Sequence, residues 1–244
     1  MVVLAAGRGS RLSALAGATP KWLLRVGGRT IADRHLEGIA RAAHAVAGVH
    51  VVTGHAAGAI ARDLARRPQD VAVVPNPEFT ELNNWWSLLL ALRKLPPDGP
   101  VVVLNADLLA EPEHLAAFIG EAVAGPADGL LAVDLERAVT DESMKVARRP
   151  DGALRAIGKV GIDDPAGEYV GLLMARGPVL RRMRAVLETF VGRPSAVNEW
   201  YEAAVARTAA EGAHWQLWSM PSGRWIEIDD DDDLSAAEAL AGGA

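Results

Sequence analysis

The sequence predicts an α/β protein with a doubly wound, mainly parallel central sheet and a smaller α+β subregion inserted in its second half. Three observations carry this prediction. Short Val-rich runs recur in the first half: V-V-L-A-A at 2–6, V-H-V-V-T at 49–53, V-A-V-V-P at 71–75 and V-V-V-L-N-A-D at 101–107. Such runs read as strands buried on both faces of a parallel sheet. Between them, residues 30–47 and 56–66 combine helical spacing with good helix formers, which completes βαβ units with right-handed crossovers. After about residue 130 the pattern changes, and short strands follow one another with turn signals between them.

In that second half G-L-L-A-V-D-L at 129–135, K-V-A-R-R at 145–149, A-L-R-A-I-G-K at 153–159 and E-Y-V-G-L-L-M-A at 168–175 read as strands. Asp151 and Gly152 supply a hairpin turn. Helices are expected over 178–191 and 195–211, then a last strand, R-W-I-E-I-D, and a terminal helix through Ala241. There is no repeat and no long polar linker, so residues 1–244 are expected to form one domain.

Composition narrows the function. With 244 residues, half of them apolar, there is ample material for a core. The net charge is -6 and no basic stripe is present, so nucleic acid is not the expected partner, although a small anion needs only a local cluster. The absence of cysteine excludes disulfides and thiolate metal sites. The histidines at 35, 44, 50, 55, 114 and 214 show neither H-x-x-x-H nor H-x-H spacing, which argues against zinc. No apolar run approaches the ~20 residues that span a bilayer, and no basic segment with an apolar stretch opens the chain. A cytoplasmic enzyme with no membrane partner is the expectation.

Two stretches carry chemistry. L-A-A-G-R-G-S-R-L, from Leu4 to Leu12, follows the first strand, with Pro20 and Lys21 downstream. Gly7 and Gly9 let backbone N–H groups converge on phosphate oxygens, and Arg11 and Lys21 supply charge. It is not a Walker A loop, and Leu12 replaces the third glycine of a dinucleotide fingerprint, so an ordinary strand-to-helix turn is the competing reading. Asp107 ends a buried parallel strand, where ligands gather in open α/β sheets, or else caps the following helix. The second stretch is W-I-E-I-D-D-D-D-D-L, at 225–234. A run of like charge is ordinarily solvated, which suits residues 230–232. Asp233 suits the first turn of the last helix. Asp229 ends an apolar strand, with Glu227 two residues earlier on the same face.

The phrase L-A-A-G-R-G-S-R-L with P-K downstream resembles the signature of the nucleotidyltransferases of the sugar-nucleotide pyrophosphorylase fold. N-P-E-F-T-E-L-N-N-W-W-S-L, V-V-V-L-N-A-D, T-D-E-S-M-K-V, A-I-G-K, E-Y-V-G-L, W-Y-E-A-A-V and W-I-E-I-D-D-D-D-D-L resemble its later blocks in order, over nearly the whole chain. The N-N-x-x-S-L loop and the W-x-E-I-D ending are most similar to the small bacterial cytidylyltransferases acting on phosphocholine, inositol phosphate or phosphonates. The resemblance implies a Rossmann-like, GT-A-type nucleotidyltransferase fold. It places the nucleotide-binding half at about 1–130, the acceptor-binding half at about 131–215, and the metal-bearing strand with the terminal helix at about 216–244.

It further implies that CMP passes from CTP to a small phosphonate or phosphate monoester, by in-line attack of the acceptor oxygen on the α-phosphorus, with no protein nucleophile. Mg2+ would sit on Asp107 and Asp229, with Glu227 as a water-mediated neighbour. Arg11 would hold the β and γ phosphates, and Lys21 would bridge the α-phosphate and the acceptor. Leu4, Ala5, Ala6, Gly7, Arg8, Gly9 and Ala106 would surround the nucleotide. Asn84 and Ser87 would read cytosine, with Asn84 alternatively a helix cap. Lys145, Lys159, Glu168 and Tyr201 fall in acceptor-binding blocks. Homodimers occur in this fold, so the resemblance allows a homodimer. Met1 stands directly on the first apolar run, so the start is expected to be trimmed against that of relatives.

The acceptor is where the pattern departs. Trp85, Trp86, Trp200 and Tyr201 could wall a choline cage or simply pack the core. Phosphocholine relatives carry a tryptophan in the block that reads here T-D-E-S-M-K-V, with Ser143, Met144 and Lys145. A lysine there attracts a second anion, so a phosphonate is expected, first phosphonoformate, with 2-aminoethylphosphonate and hydroxyalkylphosphonates next. The alternatives are phosphocholine, or a sugar 1-phosphate with UTP or dTTP. A non-catalytic binding module would have lost Arg11, Lys21, Asp107 or Asp229, and all four are present.

Overall fold

The computed structural model describes residues 1–12 and 19–242. β1 (Val2–Ala5) is followed by a small hairpin, β2 (Arg25–Val26) and β3 (Arg29–Thr30), which leads into α1 (Ile31–Arg41). Thr30 and Asp33 close a capping box there: the Asp33 N–H donates to Thr30 Oγ1 at 3.0 Å and the Thr30 N–H to Asp33 Oδ2 at 2.7 Å. The helix stops at Arg41, short of the predicted 47, and residues 43–45 tighten into one 3-10 turn. β4 (Val49–Thr53), α2 (Ala57–Leu64), β5 (Val71–Pro75), α3 (Asn84–Leu92), β6 (Val101–Asn105), β7 (Leu108–Ala110) and α4 (Pro112–Ala124) follow.

The second half contributes β8 (Gly129–Asp134), β9 (Lys145–Arg148), β10 (Leu154–Gly158), β11 (Gly167–Ala175), α5 (Gly177–Glu188), α6 (Glu202–Ala210), β12 (Trp215–Ser219), β13 (Trp225–Glu227) and α7 (Asp231–Gly242). A nine-stranded sheet runs β10-β9-β11-β6-β1-β4-β5, with β8 pairing β11 and β12 pairing β8. The strands β5, β4, β1 and β6 are mutually parallel. β11 runs antiparallel to β6, β8 and β9. The strand order reverses direction at β1, so the crevice at the carboxyl ends of β1 and β6 is the topological switch point where such sheets bind ligands.

Side-chain alternation divides the core between the two faces of the sheet. Val3, Ala5, Val102 and Leu104 pack to one side with residues of α1 and α4. Val2, Val101 and Val103 pack to the other with residues of α3 and α5. The expectation of two buried faces fails for β5: it is the edge strand, and Val73 is exposed. Helix α6 begins at Glu202, seven residues after its predicted start at 195. The carbonyls of Val197 and Asn198 are occupied by the Asn83 N–H and Nδ2, which pins that stretch to the start of α3 instead of letting it coil. β7, β12 and the β2–β3 hairpin were not predicted. β7 matters most for the site, because it pairs antiparallel with β13 and draws the end of the chain against the end of β6. Among the described residues, no helix is long and apolar enough to cross a membrane.

Candidate active site

A cleft of about 400 Å³ opens at the switch point. One end of it is the loop after β1, where Leu4, Ala6, Gly7, Arg8, Gly9 and Arg11 line the wall. Gly9 has φ +59, a conformation that favours glycine, and a Cβ there would press on the Lys21 side chain at 3.1 Å. Ala5 and Ala106 are buried beside the wall without lining it, the Ala106 N–H donating to the Leu4 carbonyl at 3.3 Å.

Asp107 and Asp229 meet here because of local pairing. β13 pairs with β7 in the register Glu227 with Leu108, and the Ile228 N–H donates to the Asp107 carbonyl at 3.1 Å. Asp107 is not a helix cap, since β7 follows it and Glu111 precedes α4. Both carboxylates converge on one ammonium: Lys21 Nζ is 3.2 Å from Asp107 Oδ2 and also bonds Asp229 Oδ1. Arg11 Nη2 holds Asp229 Oδ2 at 2.7 Å. Burial pulls Lys21 down, but the two carboxylates outweigh it and hold its pKa above the ordinary value. Burial likewise pushes Asp229 up, and Lys21 and Arg11 reverse the sign and hold it low.

A second wall is formed by Asn76, Phe79, Leu82, Asn83, Asn84 and Ser87. Asn76 is buried at the carboxyl end of β5 and donates from Nδ2 to Ser87 Oγ at 2.9 Å. The cap of α3 is Asn83, whose side chain accepts the Asn84 N–H at 2.7 Å. Asn84, expected either to read a base or to cap the helix, is the first helical residue, and its Oδ1 accepts the Tyr201 N–H at 3.0 Å.

The far end is lined by Asn105, Glu142, Met144, Lys159, Tyr169, Trp200, Glu202 and Glu227. Tyr201, expected at the acceptor, is fully buried beneath it; its hydroxyl donates to Asn105 Oδ1 at 3.0 Å and bonds the Tyr169 hydroxyl at 2.9 Å. Gly171 makes room for this arrangement with φ +79, since a Cβ would lie 2.8 Å from Asn105 Nδ2. Lys145 and Glu168 do not line the cleft. The Lys145 ammonium is turned to the backbone carbonyls of Lys159 at 2.9 Å and Asp141 at 3.4 Å.

Glu202 is the feature that sequence reading missed. It is 5% exposed, lines the cleft and has Oε2 without a hydrogen-bond partner. Burial pushes its pKa up to about 7, only partly offset by its own backbone N–H, Tyr201 and Asn84. Burial, then Asp107 and Asp229, hold Glu227 well above the usual carboxylate range. The signal for Glu202 was adjacency to Tyr201 in W-Y-E; Asn76 and Asn105 had comparable signals, as polar residues ending parallel strands.

The family model described as MobA-like NTP transferase domain matches residues 1–219. The chain belongs to this nucleotidyltransferase family. It is 32% identical over 97% of its length to a CMP-5'-(3-aminopropyl)phosphonate synthase of Streptomyces rubellomurinus, of which it spans 38%. It is 30% identical over 98% of its length to an N-acetylmuramate alpha-1-phosphate uridylyltransferase of Caulobacter vibrioides, covering 95% of that protein. A 2-aminoethylphosphonate cytidylyltransferase of Lancefieldella rimae is 29% identical over 75% of this chain and 69% of its own. Among solved structures, the CTP:phosphocholine cytidylyltransferase of Streptococcus pneumoniae superposes with TM-score 0.75 at 17% identity, over 98% of this chain and 97% of that one. The inositol-1-phosphate CTP transferase of T. maritima gives 0.78 at 18%, over 100% and 96%. These likenesses establish the α/β nucleotidyltransferase fold.

Proposed function

We propose that this protein transfers CMP from CTP to an aminoalkylphosphonate, with 2-aminoethylphosphonate and its three-carbon homologue as the best-fitting acceptors. The observation that carries the acceptor is the buried Glu202 carboxylate, which faces the cleft beside Glu227 with one oxygen unpartnered. A buried charge of that kind is costly without a partner, and a primary ammonium supplies both charge and donors. The expectation of phosphonoformate rested on Lys145, and that ammonium is held by carbonyls away from the cleft. Two curated relatives named for aminoalkylphosphonates support the same reading.

In this reading an acceptor phosphonate oxygen attacks the α-phosphorus of CTP, a new P–O bond forms, the α–β bridging bond breaks, and pyrophosphate leaves. The chain positions the reactants and neutralises charge. Arg11 and Lys21 turn from Asp229 to the triphosphate, Arg11 to its β and γ phosphates and Lys21 to the α-phosphate and the attacking oxygen. Asn76 occupies the Ser87 oxygen, leaving the Ser87 hydroxyl proton free for the base.

A divalent cation fits Asp107 and Asp229, because both reach a single ammonium. Among the described residues no group of three or more acidic or histidine ligands exists, so phosphates and water would complete an octahedron, as suits Mg2+. When bound, Mg2+ supplies Lewis-acid stabilisation of the phosphate oxygens.

Pyrophosphate release across CTP and UTP, each with 2-aminoethylphosphonate, 3-aminopropylphosphonate, phosphonoformate, phosphocholine and N-acetylmuramate 1-phosphate, tests the assignment. CTP with the aminoalkylphosphonates should lead. Faster turnover of UTP with the sugar phosphate, matching the Caulobacter relative, would overturn it.

A further inference from the structure

The acceptor end of the cleft contains two aromatic rings, and they are not equivalent. Tyr169 is almost wholly buried, with its hydroxyl engaged by Tyr201. Trp200 is 41% exposed, so its indole is the aromatic surface open to a ligand. Lys159 Nζ stands 5.5 Å from the centroid of that indole, within cation–π range. Glu142 Oε2 lies 3.4 Å from the same ammonium. The open ring therefore already carries a cation belonging to the protein.

A quaternary ammonium has no N–H and depends on aromatic faces for its attraction. A primary ammonium has three donors and can be held by carboxylates alone. Glu202 offers a carboxylate oxygen to the second kind of ligand, while the Lys159–Trp200 pair withholds the aromatic face from the first. From this geometry we infer that Lys159, seated on Trp200, is a specificity-determining residue that bars quaternary-ammonium acceptors such as phosphocholine and leaves aminoalkyl acceptors admitted. The inference rests on the proposed function and deepens it by setting the class of cation accepted. It works by rejection, since like charge opposes a trimethylammonium at the exposed Trp200 face.

The test compares wild type, Lys159→Met, Lys159→Arg and Lys159→Met/Trp200→Leu. With CTP, the ratio of kcat/KM for phosphocholine to that for 2-aminoethylphosphonate should rise at least ~10-fold in Lys159→Met. It should stay at the wild-type value in Lys159→Arg, which keeps a cation on the ring, and the gain should vanish when Trp200 is also removed. An unchanged ratio in Lys159→Met, or an equal loss with both acceptors, would overturn the inference and assign Lys159 to the phosphonate group the two share. Choline titration followed by tryptophan fluorescence, without nucleotide, reads the same site independently of turnover. Quenching should appear in Lys159→Met and be absent from wild type and the double variant. If no variant transfers CMP to either acceptor, the functional reading fails, and the choline titration still decides the claim about Lys159: no Trp200-dependent quenching in Lys159→Met would overturn it.

Discussion

Glu202 sits at the start of α6 with one carboxyl oxygen unpartnered, and its behaviour should separate an acceptor-binding residue from a packing one. Glu202→Gln keeps the shape and removes the charge, so KM for 2-aminoethylphosphonate should rise about 10- to 100-fold with a smaller change for CTP. The pKa near 7 gives the pH dependence a sign: below it the carboxyl is neutral and its attraction for an ammonium is lost. kcat/KM for the aminoalkyl acceptor should therefore fall as pH drops through about 7. The acceptor's own second ionisation lies in the same region, so the readout is the wild-type profile divided by that of Glu202→Gln. Stability runs the other way. The raised pKa means that stability linked to this group is full below the ordinary carboxylate value and is lost as pH rises through about 7, by up to ~3 kcal/mol. Thermal melts should show wild type losing more stability than Glu202→Gln between acid and mildly alkaline pH. For the carboxylates proposed to hold the metal, Asp107→Asn and Asp229→Asn should each lower turnover at least ~10²-fold with the fold retained.

At the scale of elements, the five aspartates divide into distinct roles. Asp230 Oδ1 accepts the N–H groups of Asp232 and Asp233, each at 3.0 Å, and Asp233 Oδ2 accepts those of Asp229 at 2.9 Å and Asp230 at 3.2 Å. Asp230 and Asp233 thus form a capping box at the start of α7, and Asp233 also fixes the backbone of Asp229. Asp230→Ala should cost about 1 kcal/mol in denaturant unfolding, whereas Asp232→Ala should stay within ~0.5 kcal/mol. Sequence placed Asp233 in that first turn but read Asp230 as part of a solvated turn, because charge alone does not reveal which carboxylate meets a free N–H. The Val-rich strands β1, β4 and β6 were legible because burial on both faces leaves a continuous apolar run. β7 was not: it is three residues long and separated from β6 only by the two-residue turn at Ala106 and Asp107, so L-L-A merged with the preceding run. β12 was obscured because W-Q-L-W-S places a tryptophan on both faces. The late start of α6 depends on bonds to Asn83, more than a hundred positions away in sequence, which no local pattern contains.

At the scale of the whole molecule, the site joins the first, middle and last parts of the chain. Lys21, Asp107 and Asp229 form a single charge cluster that also ties the terminal segment to the sheet. Lys21→Met leaves two carboxylates facing each other, and should cost about 2 kcal/mol or more in stability. Millimolar Mg2+ should raise the Tm of that variant more than that of wild type, because the cation then has no ammonium to displace. The meeting of Asp107, Asp229 and the glycine loop at one cleft was readable from sequence, since topology fixes where such positions gather. The end proposed to take the acceptor was not, since its character depends on which side chains turn inward: Lys145 turned away, while Glu202 was brought in. The most direct measurement is 31P NMR of the products formed from CTP, Mg2+ and 2-aminoethylphosphonate. The expected product is a phosphonate–phosphate anhydride between CMP and the acceptor, with one pyrophosphate released for each. CTP left intact, or consumed without that anhydride, while UTP and a sugar 1-phosphate react, would contradict it.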